Sequence, residues 1–444
     1  MSRQQKRGVL LVTYYFPPAG GAAVQRFLKF TRYLPEHGWQ PVVLTVRPED
    51  AAYPTRDSEL LAEIPDGVPV VRTKAWDPYA AYARLMGQRK EEVVSVGFTG
   101  RPHQSRKERL ARWVRANLFL PDARVGWVPF AVRALPRLLQ QYPIEAVVTT
   151  GPPHSAHLIG YRGHRRYRLP WVADLRDPWT GIDYYEMLPM TWWARRIDAC
   201  LERHVLARAT RRVVVTPSMQ RALEARGLPA ALIPNGYDPA DFEGMRARPT
   251  DSFWLTYAGS MNPARNPEAL WQALHQLRQT HPIQVRLIGT IDTAVQETLV
   301  RYGLTDQVQV LPFLPHRQVL QYLLDSTLLL LVINRVAGNA WIVTSKLYEY
   351  LGTGRPVLGI GPVDGDAAAV LRETRAGKMF DYDDVEGIAA FLRQHYEAWK
   401  AGHPLSGAPL ELAQCYSRPY LAGKLARLLD EVTSQRDLCV SAAS

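Results

Sequence analysis

Short aliphatic and β-branched runs, most of them bounded by Gly, Pro or Asn, alternate with amphipathic stretches along this chain. In the first half the runs fall at 9–13, 41–45, 68–71, 146–149, 171–173 and 212–216. In the second half they fall at 253–257, 285–289, 308–311, 328–333 and 357–361. Runs such as VVVT and LLLLVI are continuous rather than alternating, which is the pattern of strands buried on both faces of a parallel sheet. Strands that alternate with helical stretches predict βαβ units. The two series are separated by 235–252, a stretch rich in Asp, Pro, Gly and Arg. The pattern therefore predicts an α/β protein of two doubly wound, Rossmann-like domains facing a central cleft. In such sheets ligands bind beyond the carboxyl ends of the strands, which directs attention to the residues that follow each run.

The length of 444 residues fits two or three domains. Hydrophobic residues at 47% and charged residues at 22% are ordinary for a folded soluble protein, so disordered and low-complexity architectures are excluded. Cys200, Cys415 and Cys439 show no metal-ligand spacing and cannot form a disulfide framework, so a reducing compartment is expected. The basic N-terminus carries only a short apolar run, broken by Pro17 and Pro18, so no signal peptide is expected. The longest uncharged apolar run elsewhere, at 328–333, is far too short to span a bilayer.

Charge changes the picture more. The chain holds 54 Lys+Arg against 42 Asp+Glu, and residues 1–235 account for 35 and 20 of these. The first half thus carries the whole excess, which points to an anionic surface or substrate. No helix-turn-helix, zinc-finger or RNP-type pattern is present, so nucleic acid is not an expected partner. Residues 101–124 carry seven Lys/Arg and two acids. Within them an amphipathic helix over 105–120 would place Leu110, Trp113, Val114 and Leu118 on one face and Arg109, Arg112 and Arg115 opposite. Such a helix either packs on its own sheet or lies in an anionic membrane interface.

Candidate chemistry follows the strands. Gly20 and Gly21 end the first strand–helix turn, where missing Cβ atoms and free helix amides suit a diphosphate. Asp174, Arg176 and Asp177 follow the run at 171–173, and His154 follows the one at 146–149. These four are candidates for acceptor positioning or for charge stabilisation during group transfer. In the second half Gly259 and Ser260 follow a strand, with Arg265 placed to grip phosphate oxygens. Lys346 and Glu349 lie near one helical turn apart, where Glu349 can accept from a ribose diol and Lys346 can meet phosphate or sugar oxygens. Gly359 and Gly361 lack the third glycine of a dinucleotide fingerprint. Asp381, Asp383 and Asp384 read as a solvated loop.

The segments LLVTYYFPPAGGAAVQRFLKF, TGPPHSAHLIG, PWVADLRDPWTG, ALIPNGYDPADF, YAGSMNPARNPEAL and SKLYEYLGTGRPVLGIGP together resemble a bacterial family 4 glycosyltransferase of the GT-B fold. The resemblance runs from about residue 8 to about residue 430. It implies an N-terminal acceptor-binding domain over 1–235 and a C-terminal nucleotide-sugar-binding domain over 236–415. Residues 416–444 would form a helix returning to the first domain, plus a tail. It also implies that Gly20, Gly21, Gly259, Ser260, Arg265, Lys346 and Glu349 contact the donor. The family's donor motif usually holds two glutamates eight positions apart; Glu349 matches the second, but Trp341 stands where the first would be. Neighbouring Asn339, with the backbone amides of 338–342, would then substitute.

The activity implied is sugar transfer from a nucleotide sugar to a glycan or lipid-linked acceptor in bacterial polysaccharide biosynthesis. It would be retaining, with neither a metal nor another cofactor. The location implied is cytoplasmic, peripheral on the inner face of the cell membrane. Two alternatives stand beside it: a nucleotide-sugar 2-epimerase of the same fold, and a non-catalytic nucleotide-sugar-binding scaffold.

Overall fold

The computed structural model describes residues 7–76, 106–182 and 185–441. Residue 105, the first of the amphipathic helix expected above, and the tail residues 442–444 lie outside them, as does the side chain of Cys439. Cys200 and Cys415 are free and exposed. The chain divides into two compact units, Met1–Pro234 with Leu421–Ser444, and Asn235–Tyr420.

The first unit holds a parallel sheet of seven strands. They are β1 (Arg7–Val12), β2 (Trp39–Val46), β3 (Val70–Thr73), β4 (Ile144–Gly151), β5 (Trp171–Leu175), β6 (Arg211–Val214) and β7 (Ala231–Leu232). Their order is β3-β2-β1-β4-β5-β6-β7, so the winding reverses between β1 and β4. The helix Ser155–Tyr167 packs on β4 and β5. It does so closely, because a Cβ on Gly160 would stand 2.2 Å from Trp171 Nε1. The last helix, Arg418–Ser441, joins this unit from Leu421 onward. There Asp430 Oδ1 accepts from Arg7 Nη1 at 2.9 Å and from Trp39 Nε1 at 3.1 Å.

The second unit repeats the design with six parallel strands. They are β8 (Phe253–Ala258), β9 (Ile283–Ile288), β10 (Val308–Leu311), β11 (Leu328–Val332), β12 (Val357–Ile360) and β13 (Gly377–Phe380), in the order β10-β9-β8-β11-β12-β13. The continuous apolar run of β11 has a direct cause. Leu328, Leu330 and Val332 enter the core on one face of the sheet, and Leu329, Leu331 and Ile333 enter the core on the other. Two strands, β7 and β13, were not expected from the apolar pattern. Both are edge strands; β7 has only two residues, and β13 begins with Gly377 and an exposed Lys378.

Asp174 lies inside β5 rather than after it, and is only 2% exposed. A carboxylate at that depth requires a partner. Arg26, on the helix Ala22–Tyr33, supplies it: Nη2 donates to Oδ1 at 2.7 Å and Nε to Oδ2 at 3.1 Å. Thr150 donates to Oδ2 at 2.9 Å, and Arg26 also donates to the carbonyls of Ile233 and Pro234. One buried pair thereby ties the first helix, β4, β5 and the end of the unit together. Arg26→Met should cost about 3–5 kcal/mol of stability by stranding the Asp174 charge. Adding Asp174→Asn to it should recover part of the loss. Denaturant unfolding checks this, and a single-variant loss under about 1 kcal/mol would remove the pair's structural role.

Candidate active site

In the second unit the winding reverses between β8 and β11, and the residues just past those strands meet. Gly259 follows β8 with φ of +123°, a conformation that favours glycine. A Cβ there would lie 2.5 Å from both Cε and Nζ of Lys346, so the lysine runs across the glycine's bare side. Lys346 comes from the first turn of the helix Ser345–Thr353. Its Nζ donates to Tyr257 Oη at 2.9 Å and stands 4.2 Å from the centre of that ring. Tyr257 in turn donates to the Ser260 carbonyl at 2.9 Å. Arg265 reaches the same carbonyl through Nη1 at 3.3 Å and donates through Nε to Asn334 Oδ1, just past β11. Its guanidinium therefore bridges the two sides of the reversal.

Burial, with Arg265 as the second cause, depresses the Lys346 ammonium to about 7, while Glu349 opposes the shift. Two cations are thus held together in a half-buried place. The helix that carries Lys346 has no side-chain cap, and Thr344 Oγ1 is buried without a hydrogen-bond partner. Unfilled helix amides and mutually repelling cations together favour an anion. Glu349 faces His316, with Oε1 3.2 Å from Nε2, and both side chains reach solvent. Asn339 does not carry the site directly. Its Nδ2 donates to the Asn334 carbonyl at 2.6 Å and to Tyr382 Oη at 2.7 Å, which secures the loop beyond β11. Tyr257, Asn334, His316 and Tyr382 were not expected. A tyrosine inside a strand reads as core, Asn334 and His316 follow apolar runs without any motif, and Tyr382 lies in the acidic stretch 381–384 that reads as a solvated loop.

In the first unit the equivalent place lies between β1 and β4. Gly20 is buried, with its N–H on the Thr55 carbonyl at 3.0 Å. Gly21, at φ +86°, begins the helix Ala22–Tyr33 without a side-chain cap. Arg176 links this turn to the loop after β4, donating to the carbonyls of Ala23 (2.6 Å) and Pro152. Burial lowers its basicity, with Asp177 and then Asp174 opposing. His154 stacks on Trp179 with ring centres 5.1 Å apart, and His157 lies 5.8 Å from it. Burial keeps both imidazoles neutral, that of His157 down to about 3. His154 Nδ1, His157 Nε2 and Arg176 Nε have no hydrogen-bond partner among the described residues.

The expected site residues are therefore divided. Gly20, Gly21, His154, Arg176 and Asp177 gather in the first unit, and Gly259, Ser260, Arg265, Lys346 and Glu349 in the second. Asp174, expected after the strand, lies within β5 and is committed to Arg26 and Thr150. Asp122 and Asp198 escaped the sequence reading. Asp122 accepts from the backbone and hydroxyl of Ser155 at 2.8 and 2.9 Å, holding the start of the His154 helix. Asp198 accepts from Trp179 Nε1 at 2.9 Å, which fixes the ring on which His154 stacks. Asp383 pairs with Arg335 at 2.6 Å, and Asp384 caps the helix Val385–Lys400. Among the described residues no group of three His, Cys, Asp or Glu side chains is placed to hold a metal ion.

Residues 79–241 match the family model Glycosyltransferase Family 4. No curated protein matches the chain. Among solved structures, the sucrose-phosphate synthase of Thermosynechococcus elongatus is 14% identical with a TM-score of 0.54, covering 99% of this chain and 100% of its own. A glycosyltransferase of Rickettsia africae is 11% identical at 0.60, covering 96% and 98%. The HepE protein of Anabaena, in complex with UDP and glucose, is 14% identical at 0.52, covering 98% and 100%. At these identities the likeness is one of fold, and the fold is GT-B. Together with the family match over residues 79–241, it supports a family 4 glycosyltransferase.

Because burial and Arg265 depress the Lys346 ammonium to about 7, an anion that pairs with it should bind with uptake of a proton above that pH. UDP affinity should fall by up to about tenfold per pH unit above about 7, and Lys346→Met should abolish both the slope and the uptake. Calorimetry in buffers of different ionisation enthalpy reads the uptake directly. Affinity that stays flat from about pH 6.5 to 8.5 would remove the lysine from the anion site.

Proposed function

We propose that this glycosyltransferase moves a sugar from a nucleotide-sugar donor to a glycan or lipid-linked acceptor in bacterial polysaccharide biosynthesis, with retention and without a metal ion. The observation that carries the reading is the convergence of Lys346, Arg265 and an uncapped helix N-terminus past β8 and β11. A departing nucleoside diphosphate gains negative charge as the glycosidic bond breaks. Fixed cations and helix amides that are already in place stabilise that charge without reorganising. Lys346 and Arg265 take this role, and Glu349, which faces the exposed His316, turns to a ribose diol. In the first unit the Gly20–Gly21 turn leads into the helix Ala22–Tyr33, whose side-chain-uncapped start offers its first amides to phosphate. Arg176, Asp177 and the neutral His154 position the acceptor, a neutral imidazole being able to accept from its hydroxyl. Retention follows from the family resemblance. The HepE complex, with UDP and glucose, supports a donor of this class.

We also place the protein on the cytoplasmic face of the membrane as a peripheral protein. None of the helices among the described residues is long and apolar enough to cross a bilayer. The helix Arg106–Leu118 meets the rest of its unit at its C-terminal end through a polar residue, Asn117, which accepts from Thr191 and donates to the Pro189 carbonyl. Leu110 and Leu118 are each 62% exposed, and Trp113 is 41% exposed. Met187 and Trp192, on either side of the anchored segment, are 76% and 77% exposed. Large apolar side chains among Arg109, Arg112, Arg115 and Arg196 match an anionic interface.

A thermal-shift panel of nucleoside diphosphates and nucleotide sugars tests the donor site. One nucleotide should raise the melting temperature of the wild type, and Glu349→Ala should lose that shift. No shift with any nucleotide would overturn the donor assignment. For the membrane surface, Arg112→Glu with Trp113→Glu and Trp192→Glu should weaken binding to anionic liposomes about tenfold or more. Undiminished binding by this triple variant would exclude the surface.

A further inference from the structure

Away from the candidate site, the open edge of the first sheet carries a groove of 610 Å³ between β3 and the helix Val128–Gln141. Arg47 enters it from just past β2, Arg72 and Lys74 from β3 and its end, and Arg133 and Arg137 from successive turns of the helix. Phe130 lies among them. Among the described residues the lining holds five cations and no carboxylate. Arg47, Lys74, Arg133 and Arg137 make no ion pair among the described residues, and only Arg72 is engaged, donating to the Pro17 carbonyl at 2.5 Å.

Elsewhere in the unit some basic side chains are paired with buried acids, as in Arg26–Asp174 and Arg226–Glu202. Cations gathered in a concave place repel one another, and that repulsion favours a bound counter-charge. The volume is that of a small-molecule site. Arginines present planar donor pairs that match phosphate oxygens, and several convergent cations suit a group carrying more than one negative charge. The remainder of the lining, Phe130 with aliphatic side chains of β3 and the helix, suits an apolar or sugar portion beside that group.

We propose that this groove is a second anion site, which binds a phosphate- or diphosphate-bearing ligand by its charged end. It stands independently of the donor reading, since none of its residues belongs to the candidate site.

The test uses the full chain carrying Lys346→Ala and Arg265→Ala, so that the candidate donor site does not take up the probe. Inorganic pyrophosphate, titrated by calorimetry, represents a free ligand. Vesicles of phosphatidylcholine with phosphatidic acid, scored by flotation, represent a lipid headgroup. Adding Arg133→Glu with Arg137→Glu should weaken binding of at least one probe about tenfold, the loss of two charge-assisted hydrogen bonds. Lys74→Glu alone should act in the same direction. Both arginines are exposed, so circular dichroism and the melting temperature should be unchanged. Arg162→Glu with Arg165→Glu, on the exposed side of another helix, serves as the control for overall charge. Loss of pyrophosphate binding alone assigns the site to free phosphates, loss on vesicles alone assigns it to a lipid headgroup, and loss of both assigns it to phosphate groups of either source. Equal losses in the groove and control pairs, or no loss of either probe, would overturn the site.

Discussion

A strand buried on both faces has no side that can hold a free charge, and every strand near the middle of these two sheets is of that kind. The chemistry is therefore pushed to the strand ends, and above all to the places where the winding reverses. Gly259, Lys346 and Arg265 meet at one such place, and Gly21, Arg176 and His154 at the other. Asp174 shows the constraint from the other side. It is an acid buried within a central strand, and it is held there by Thr150 and by Arg26, which two backbone carbonyls hold in turn. A charge at that depth becomes architecture and is withdrawn from reaction.

The two strand-end places differ in electrostatic character. In the second unit two cations press on one another, and the helix amides beside them have no side-chain cap, an arrangement that favours an anion. In the first unit burial removes charge instead. His154 and His157 are kept neutral, and three ring or guanidinium nitrogens have no partner. A neutral imidazole cannot serve as a fixed cation, but it can accept a proton from, or orient, a hydroxyl. This division matches the two demands of glycosyl transfer, a charged leaving group to be stabilised and an uncharged nucleophile to be placed.

How much of this was legible in the sequence depended on where each residue sits. Gly259, Arg265 and Lys346 could be read because they follow apolar runs in recognisable segments. The bulk of the sheets could be read because burial on both faces leaves continuous runs. Asp174 was misplaced because β5 continues two residues past the run at 171–173, and periodicity does not show that a strand runs on through a buried, paired acid to Leu175. β7 and β13 escaped because edge strands need not be apolar on both sides. The helix at 106–118 was legible as amphipathic. Hydrophobic periodicity defines a face, however, and does not tell whether that face is covered; the tie through Asn117 to Thr191 and Pro189 is a contact between distant segments with no local signature.

The uneven charge of the chain acquires a location from the same contacts. Isolated ion pairs on a surface contribute about 0–1 kcal/mol each, so stability does little to require that surface cations be matched by acids. Stability alone equally gives no reason to gather them, since like charges in a groove repel. Arg47, Lys74, Arg133 and Arg137 come from three separate elements, β2, β3 and the helix that packs over them, yet converge on one concavity. Chain neighbours share a patch through composition alone, whereas these four share one through the fold. The excess of the first half is thus partly a property of its tertiary structure, which selects cations from distant segments and holds them where an anion can enter.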